Sequence, residues 1–127
     1  MSWGPAQVRF VFANDLRAPK QARNAVAALL AESDPIAHAV LLVVSELVTN
    51  VLRHTKSGGV LEVWDDGANF RLRIEVGHRS AVPLVVGGEI DIGGRGLIIV
   101  DKAADAWGFS ATAEGKVVWA EFNRPTS

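Results

Sequence analysis

The sequence predicts a two-layer α/β sandwich, in which a mixed, mostly antiparallel sheet of about five strands carries three helices on its buried face. Three observations lead there. Several short segments alternate apolar and polar residues with period two, as a strand with one buried face does. Other stretches repeat their apolar residues at helical spacing. Finally, 127 residues with 49% hydrophobic and 21% charged content suit one globular domain that buries its core without disulfide or metal staples.

Val8, Phe10 and Phe12 alternate with Arg9 and Val11 and form the first strand. Pro19 suits a first helical turn, and Ala22, Val26, Leu29 and Leu30 carry a helix to about Glu32. Ser33-Asp34-Pro35 then reads as a stop and restart, with Asp34 as the cap and Pro35 as the opening of a second helix that reaches about Thr55. Val40, Val44, Leu47, Val48, Val51 and Leu52 give that helix its apolar stripe, and Glu46, Asn50, Arg53 and His54 gather on another side.

After Ser57-Gly58-Gly59 the period changes to two. Val60 to Trp64 is a strand, Asp65-Asp66-Gly67-Ala68 supplies turn chemistry, and Leu72, Ile74 and Val76 return as the second arm of a hairpin. Residues 77–94 have no periodicity and contain Pro83 and two glycine pairs, so they read as a long loop. A third helix runs from about Gly96 to Ala106. Strands at Trp107–Thr112 and Val117–Phe122 close the domain around Glu114-Gly115-Lys116. We treat residues 6–124 as a single domain.

Composition excludes several function classes. With 13 basic and 14 acidic residues the net charge is -1, which gives no broad footprint for nucleic acid or anionic lipid. No apolar run approaches the roughly 20 residues of a membrane span, and the N-terminus does not read as a secretory signal, so a cytoplasmic protein is expected. Without cysteine there is no thiolate nucleophile and no cysteine metal site.

Two motifs carry chemistry. In Ser45-Glu46-Leu47-Val48-Thr49-Asn50, Glu46 and Asn50 stand at i and i+4, placing a carboxylate and a carboxamide side by side on one helix, where they can share a ligand, a water or a cation. Oxygen donors of this kind suit magnesium, which keeps several waters and shares substrate phosphates. The same pair also suits a plain solvated face. The second motif is Ile92-Gly93-Gly94-Arg95-Gly96-Leu97 ahead of a helix, where glycines admit close approach and unpaired N–H groups attract phosphate. It has neither the lysine of a P-loop nor the preceding strand of a Rossmann turn.

Taken in order, Glu46-Leu47-Val48-Thr49-Asn50 with His54, a strand ending at Val76, a glycine-bearing loop, Gly94-Arg95-Gly96-Leu97 and Gly115-Lys116-Val117-Val118-Trp119 resemble the GHKL (histidine-kinase-like) ATPase superfamily. The compact size and the SELVTN form resemble its stand-alone anti-sigma-factor serine/threonine kinases most. The resemblance covers about Val8 to Phe122. It implies a Bergerat-type ATP-binding fold, with ATP and Mg as cofactors. It further implies that Asn50 holds the magnesium and that Glu46 orients or deprotonates a serine hydroxyl on a partner protein. Gly94 and Gly96, with Arg95 and Leu97, would close over the phosphates, with residues 79–93 as a lid. His54 would support the site helix.

One departure concerns the base. His78 stands where the family usually has an aspartate that accepts from the adenine amino group, and Val117 stands where many relatives have a threonine. A neutral imidazole accepts one hydrogen bond and an imidazolium none. Three functions follow. The first is a kinase that sequesters a sigma factor and phosphorylates an anti-anti-sigma antagonist, with a homodimer among the forms such kinases take. The second is a degenerate interaction module of the same fold that binds ATP weakly or not at all. The third is a scaffold whose Glu46 and Asn50 face solvent.

Overall fold

The computed structural model describes residues 3–78, 85, 86, 89, 90, 95–112 and 115–126, with side chains for 3–77, 98–110 and 115–126. The chain forms β1 (Val8–Phe12), α1 (Ala18–Ala27), α2 (Ala37–His54), β2 (Gly59–Asp66), β3 (Arg71–His78), β4 (Val85–Val86), β5 (Glu89–Ile90), α3 (Arg95–Ala103), β6 (Ala106–Thr112) and β7 (Gly115–Asn123). Five strands make one sheet in the order β1-β2-β3-β7-β6, and β4 pairs with β5 alone. Every pairing in the sheet is antiparallel, so the expected mixed character is corrected. The reason is topological: hairpins and the long returns through helices bring each strand back beside its neighbour in the opposite sense.

Alternation decides the two faces. Phe12, Leu61, Val63, Leu72, Ile74, Val76, Val118, Ala120 and Phe122 are buried on the inner face, against Ala22 and Val26 of α1, the stripe of α2 and Val100 of α3. The outer face carries Arg9, Glu62, Arg73, Glu75, Trp119 and Glu121 at the intervening positions. There Arg73 lies over the Trp119 ring, 4.6 Å from its centroid, and pairs with Glu75 and Glu121.

Several boundaries differ from expectation. α1 stops at Ala27, because Leu29 and Leu30 donate to the carbonyls three residues back and tighten the last turn. α2 starts at Ala37, two residues past Pro35: the Asp34 carboxylate accepts from the Ile36 N–H at 3.1 Å and its carbonyl from Ala37 at 3.0 Å. Asp34 thus shapes the turn ahead of the helix while Arg124 holds its carboxylate. β2 continues through Asp66, and the β2–β3 connection is a short 3-10 turn over Gly67–Asn69 that leaves Phe70 left-handed at φ 56°. α3 is shorter than expected, since Ala106 already belongs to β6. Gly77 and His78 extend β3 rather than open the long loop. The rest of that loop, beyond β4 and β5, lies outside the described residues.

The two ends of the sandwich are distinct. At one, the Arg124 guanidinium donates to Asp34, ahead of α2, and to Asp65, near the end of β2, at 2.8 to 3.0 Å for the shortest contacts with each. α2 therefore starts at this end and runs to the other, where His54 precedes the tight turn into β2. Asn14, just past β1, donates its amide there to the Thr55 carbonyl at 2.6 Å. α3 packs against α2. Its C-terminus reaches the Arg124 end, where the Asp105 N–H donates to the Glu121 carbonyl at 2.9 Å. The C-terminal half of α2 and the strand end formed by Gly59, His78 and Lys116 accordingly share the opposite end.

Candidate functional site

Asn50 is the central finding at that end. It lies three residues beyond Leu47 and seven beyond Val43, and so shares their buried face rather than the polar one; it is only 2% exposed. Neither its amide nitrogen nor its carbonyl oxygen has a hydrogen-bond partner among the described residues. Leaving such a group unpaired costs about 1–3 kcal/mol. Buried amides are otherwise satisfied, and an orphan marks a place where a partner belongs. The solvent-facing scaffold reading is corrected for Asn50.

Glu46, one helical turn earlier, is half-buried, and no hydrogen bond or ion pair engages its carboxylate among the described residues. Next to it, Ser45 accepts from the Arg23 guanidinium of α1 at 2.8 Å, which fixes how the two helices pack beside the site. His54 is exposed at the last residue of α2. The backbone of Arg95, Gly96 and Leu97 opens α3; Gly94 and the expected lid over 79–93 lie outside the described residues, apart from β4 and β5.

At the base-binding positions implied by the resemblance the placement is mixed. His78 ends β3, its backbone paired with Gly59 and Lys116, and its side chain lies outside the description. Val117 belongs with Trp119 and Glu121 on the outer face, where its side chain lies over Gly77, so it does not meet α2. The inward residue is its neighbour Lys116, 2% exposed, with its ammonium 5.8 Å from the Phe109 ring centroid. Counting back in twos from Phe122 through Ala120 and Val118 reaches Lys116, a signal already present in the sequence. Asn50 and Lys116 are the two buried polar side chains among the described residues.

No group of three or more His, Cys, Asp or Glu side chains could hold a metal ion among the described residues. A hard cation here would take the Asn50 carbonyl oxygen and complete its shell with water and ligand phosphate oxygens, which is how magnesium is commonly bound. The orphaned oxygen fits that role. No helix among the described residues is long and apolar enough to cross a membrane. The chain matches no known family and no curated protein in comparisons with both.

Proposed function

We propose that the chain is a nucleotide-binding regulatory protein of Bergerat-type fold that acts as an anti-sigma-factor serine/threonine kinase, with ATP and magnesium as its expected cofactors. The observation that carries the proposal is the buried, unpartnered amide of Asn50 on α2, the helix against which α3 packs. A helix N-terminus can give phosphates N–H groups, and an orphaned oxygen donor can give their metal a ligand.

In this reading the Asn50 carbonyl oxygen would hold magnesium, which when bound would neutralise phosphate charge. The α3 N-terminus orients the triphosphate through Arg95, Gly96 and Leu97, and the base lies toward the ends of β3 and β7. Glu46, unengaged and one turn from Asn50, accepts the proton of the partner's serine hydroxyl as that oxygen bonds to the γ-phosphorus. The bond to the β–γ bridging oxygen breaks and its electron pair leaves with the nucleoside diphosphate. Such chemistry depends on positioning and electrostatics more than on covalent help from the protein. The serine belongs to an anti-anti-sigma antagonist, and the sigma factor is the protein held.

Calorimetric titration with Mg-ATP, with Asn50→Ala as the paired variant, tests binding, and incubation with labelled ATP and the antagonist tests transfer. Heat with the wild type that Asn50→Ala abolishes supports the site. Binding without transfer at saturating Mg-ATP removes the kinase assignment and leaves the second reading, a module that regulates by sequestration. The inward Lys116, with Val117 turned away, is what favours that second reading, because neither gives an adenine amino group an acceptor.

A further inference from the structure

We infer that Asn14, on the connection between β1 and α1, is a positioning residue for Asn50: its side-chain amide latches the last turn of α2 and so keeps the Asn50 amide inside the sandwich. The inference rests on the nucleotide reading above and deepens it. Asn14 is exposed, yet its amide nitrogen donates to the Thr55 carbonyl at 2.6 Å and to the Leu52 carbonyl at 3.3 Å, 41 and 38 residues away. Both neighbours are acceptors only, so the nitrogen of the amide, and not its oxygen, must face them.

A helix leaves the carbonyls of its last turn without intrahelical partners, and the common remedy is a left-handed residue, most often glycine, just beyond the end. α2 ends differently, on an extended Thr55 with φ -143° and ψ 153°. Its closing contact comes instead from across the molecule. Beneath that contact the Thr55 hydroxyl accepts from the Ser57 N–H at 2.9 Å, and Gly58 lies against the backbone of Phe12 and Ala13. The two residues before Asn14 therefore seat the turn, and Asn14 closes over it.

Asn50 gives the latch something to oppose. The last turn of α2 follows it directly, and opening that turn would let water reach the two amide atoms that the folded sandwich leaves unpaired. Fraying at this helix end thus brings a gain that an apolar residue at position 50 would not give. By resisting it, Asn14 keeps the amide in place for a ligand, so that binding spends nothing on ordering the helix. Ser45, which accepts from Arg23 at 2.8 Å, tethers the same stretch of α2 on its other side.

Amide hydrogen exchange of the full chain, without ligand and well below Tm, is compared for the wild type, Asn14→Ala, Asn14→Asp, Asn50→Leu and the double variant Asn14→Ala/Asn50→Leu. Asn14→Asp keeps the size of the side chain and removes its donors. The expected result is exchange at the Arg53, His54 and Thr55 amides about fivefold faster in both single Asn14 variants, and a smaller acceleration by Asn14→Ala in the Asn50→Leu background. Calorimetric titration at the same temperature should show Mg-ATP binding about fivefold weaker in Asn14→Ala and Asn14→Asp. A contact that only stabilised the fold would lower Tm and leave this affinity unchanged. Unaltered exchange at the helix end overturns the latch. Equal acceleration in both backgrounds makes Asn14 a cap with no bearing on Asn50 and overturns the inference, as does unaltered Mg-ATP affinity beside a wild type that binds. Failure of the wild type to bind Mg-ATP removes the nucleotide reading itself, and the positioning role with it.

Discussion

The amide of Asn50 offers a test at the scale of one residue. Leucine has the same number of side-chain heavy atoms and the same branching at Cγ, so Asn50→Leu removes the unpaired polar atoms with little change in shape. Relieving an orphan of this kind stabilises by about 1 kcal/mol or more, which in a domain of this size raises Tm by roughly 3–6 °C. Differential scanning calorimetry of the ligand-free protein should show that rise, and under the proposed function Mg-ATP should shift the Tm of the wild type but not of Asn50→Leu. A lower Tm would mean that the amide is satisfied in solution. Glu46 and Asn50 were legible in the sequence as neighbours on one helix, but the depth of Asn50 was not. The apolar stripe read without Val43 stops short of the arc on which Asn50 lies, and including Val43 widens the buried face to take it in. For Lys116 and Val117 the signal was a period of two, which sets Lys116 on the inner face and Val117 on the outer one.

At the scale of elements, hydrophobic period placed all five strands of the main sheet and all three helices, since these depend on patterns summed over many residues. Ends were less legible because they depend on partners distant in sequence. Asp34 serves a turn rather than a helix cap because Arg124, 90 positions away, claims its carboxylate. The α2–β2 connection shows what a turn requires. Gly58 has φ +72°, and a Cβ there would collide with the Phe12 carbonyl at the end of β1. Gly58→Ala should cost about 2–4 kcal/mol, the combined effect of an unfavourable dihedral and displaced backbone. Gly67, with nothing within 4 Å of an added Cβ, is the control, and Gly67→Ala should stay within about 0.5 kcal/mol. Urea denaturation of both variants checks the contrast; equal losses would contradict it.

For the molecule as a whole, the Arg124 cluster joins the helical layer to the sheet. Its side chains are only 14%, 10% and 19% exposed for Arg124, Asp34 and Asp65, so solvent screens the pairs little. Burial pushes the Asp34 carboxyl up, but hydrogen bonds from Arg124 and the Ile36 N–H outweigh it and hold the group below its ordinary 3.8. Because the folded value is depressed, the contribution to stability is complete above the ordinary value and is lost as pH falls through the folded one. Wild-type stability should therefore decline on acidification below about pH 4. Arg124→Met leaves two carboxylates without their cation and should cost about 3–5 kcal/mol at neutral pH. That deficit should shrink at pH 4, where protonation removes the uncompensated charge. Denaturation midpoints at pH 7 and pH 4 for both proteins measure the effect, and a deficit independent of pH would assign the loss to packing of the arginine stem instead.

The antiparallel run of α2 against β2 keeps this ionic strap and the orphaned amide at opposite poles of the sandwich. A force prising the layers apart is borne mainly at the strapped pole, so the other pole yields first, in the manner of a clothes peg with its spring at one extremity. A guest entering between the jaws need not unfasten the layers to be admitted, and what it gains in contact is not spent on breaking the strongest electrostatic tie between them.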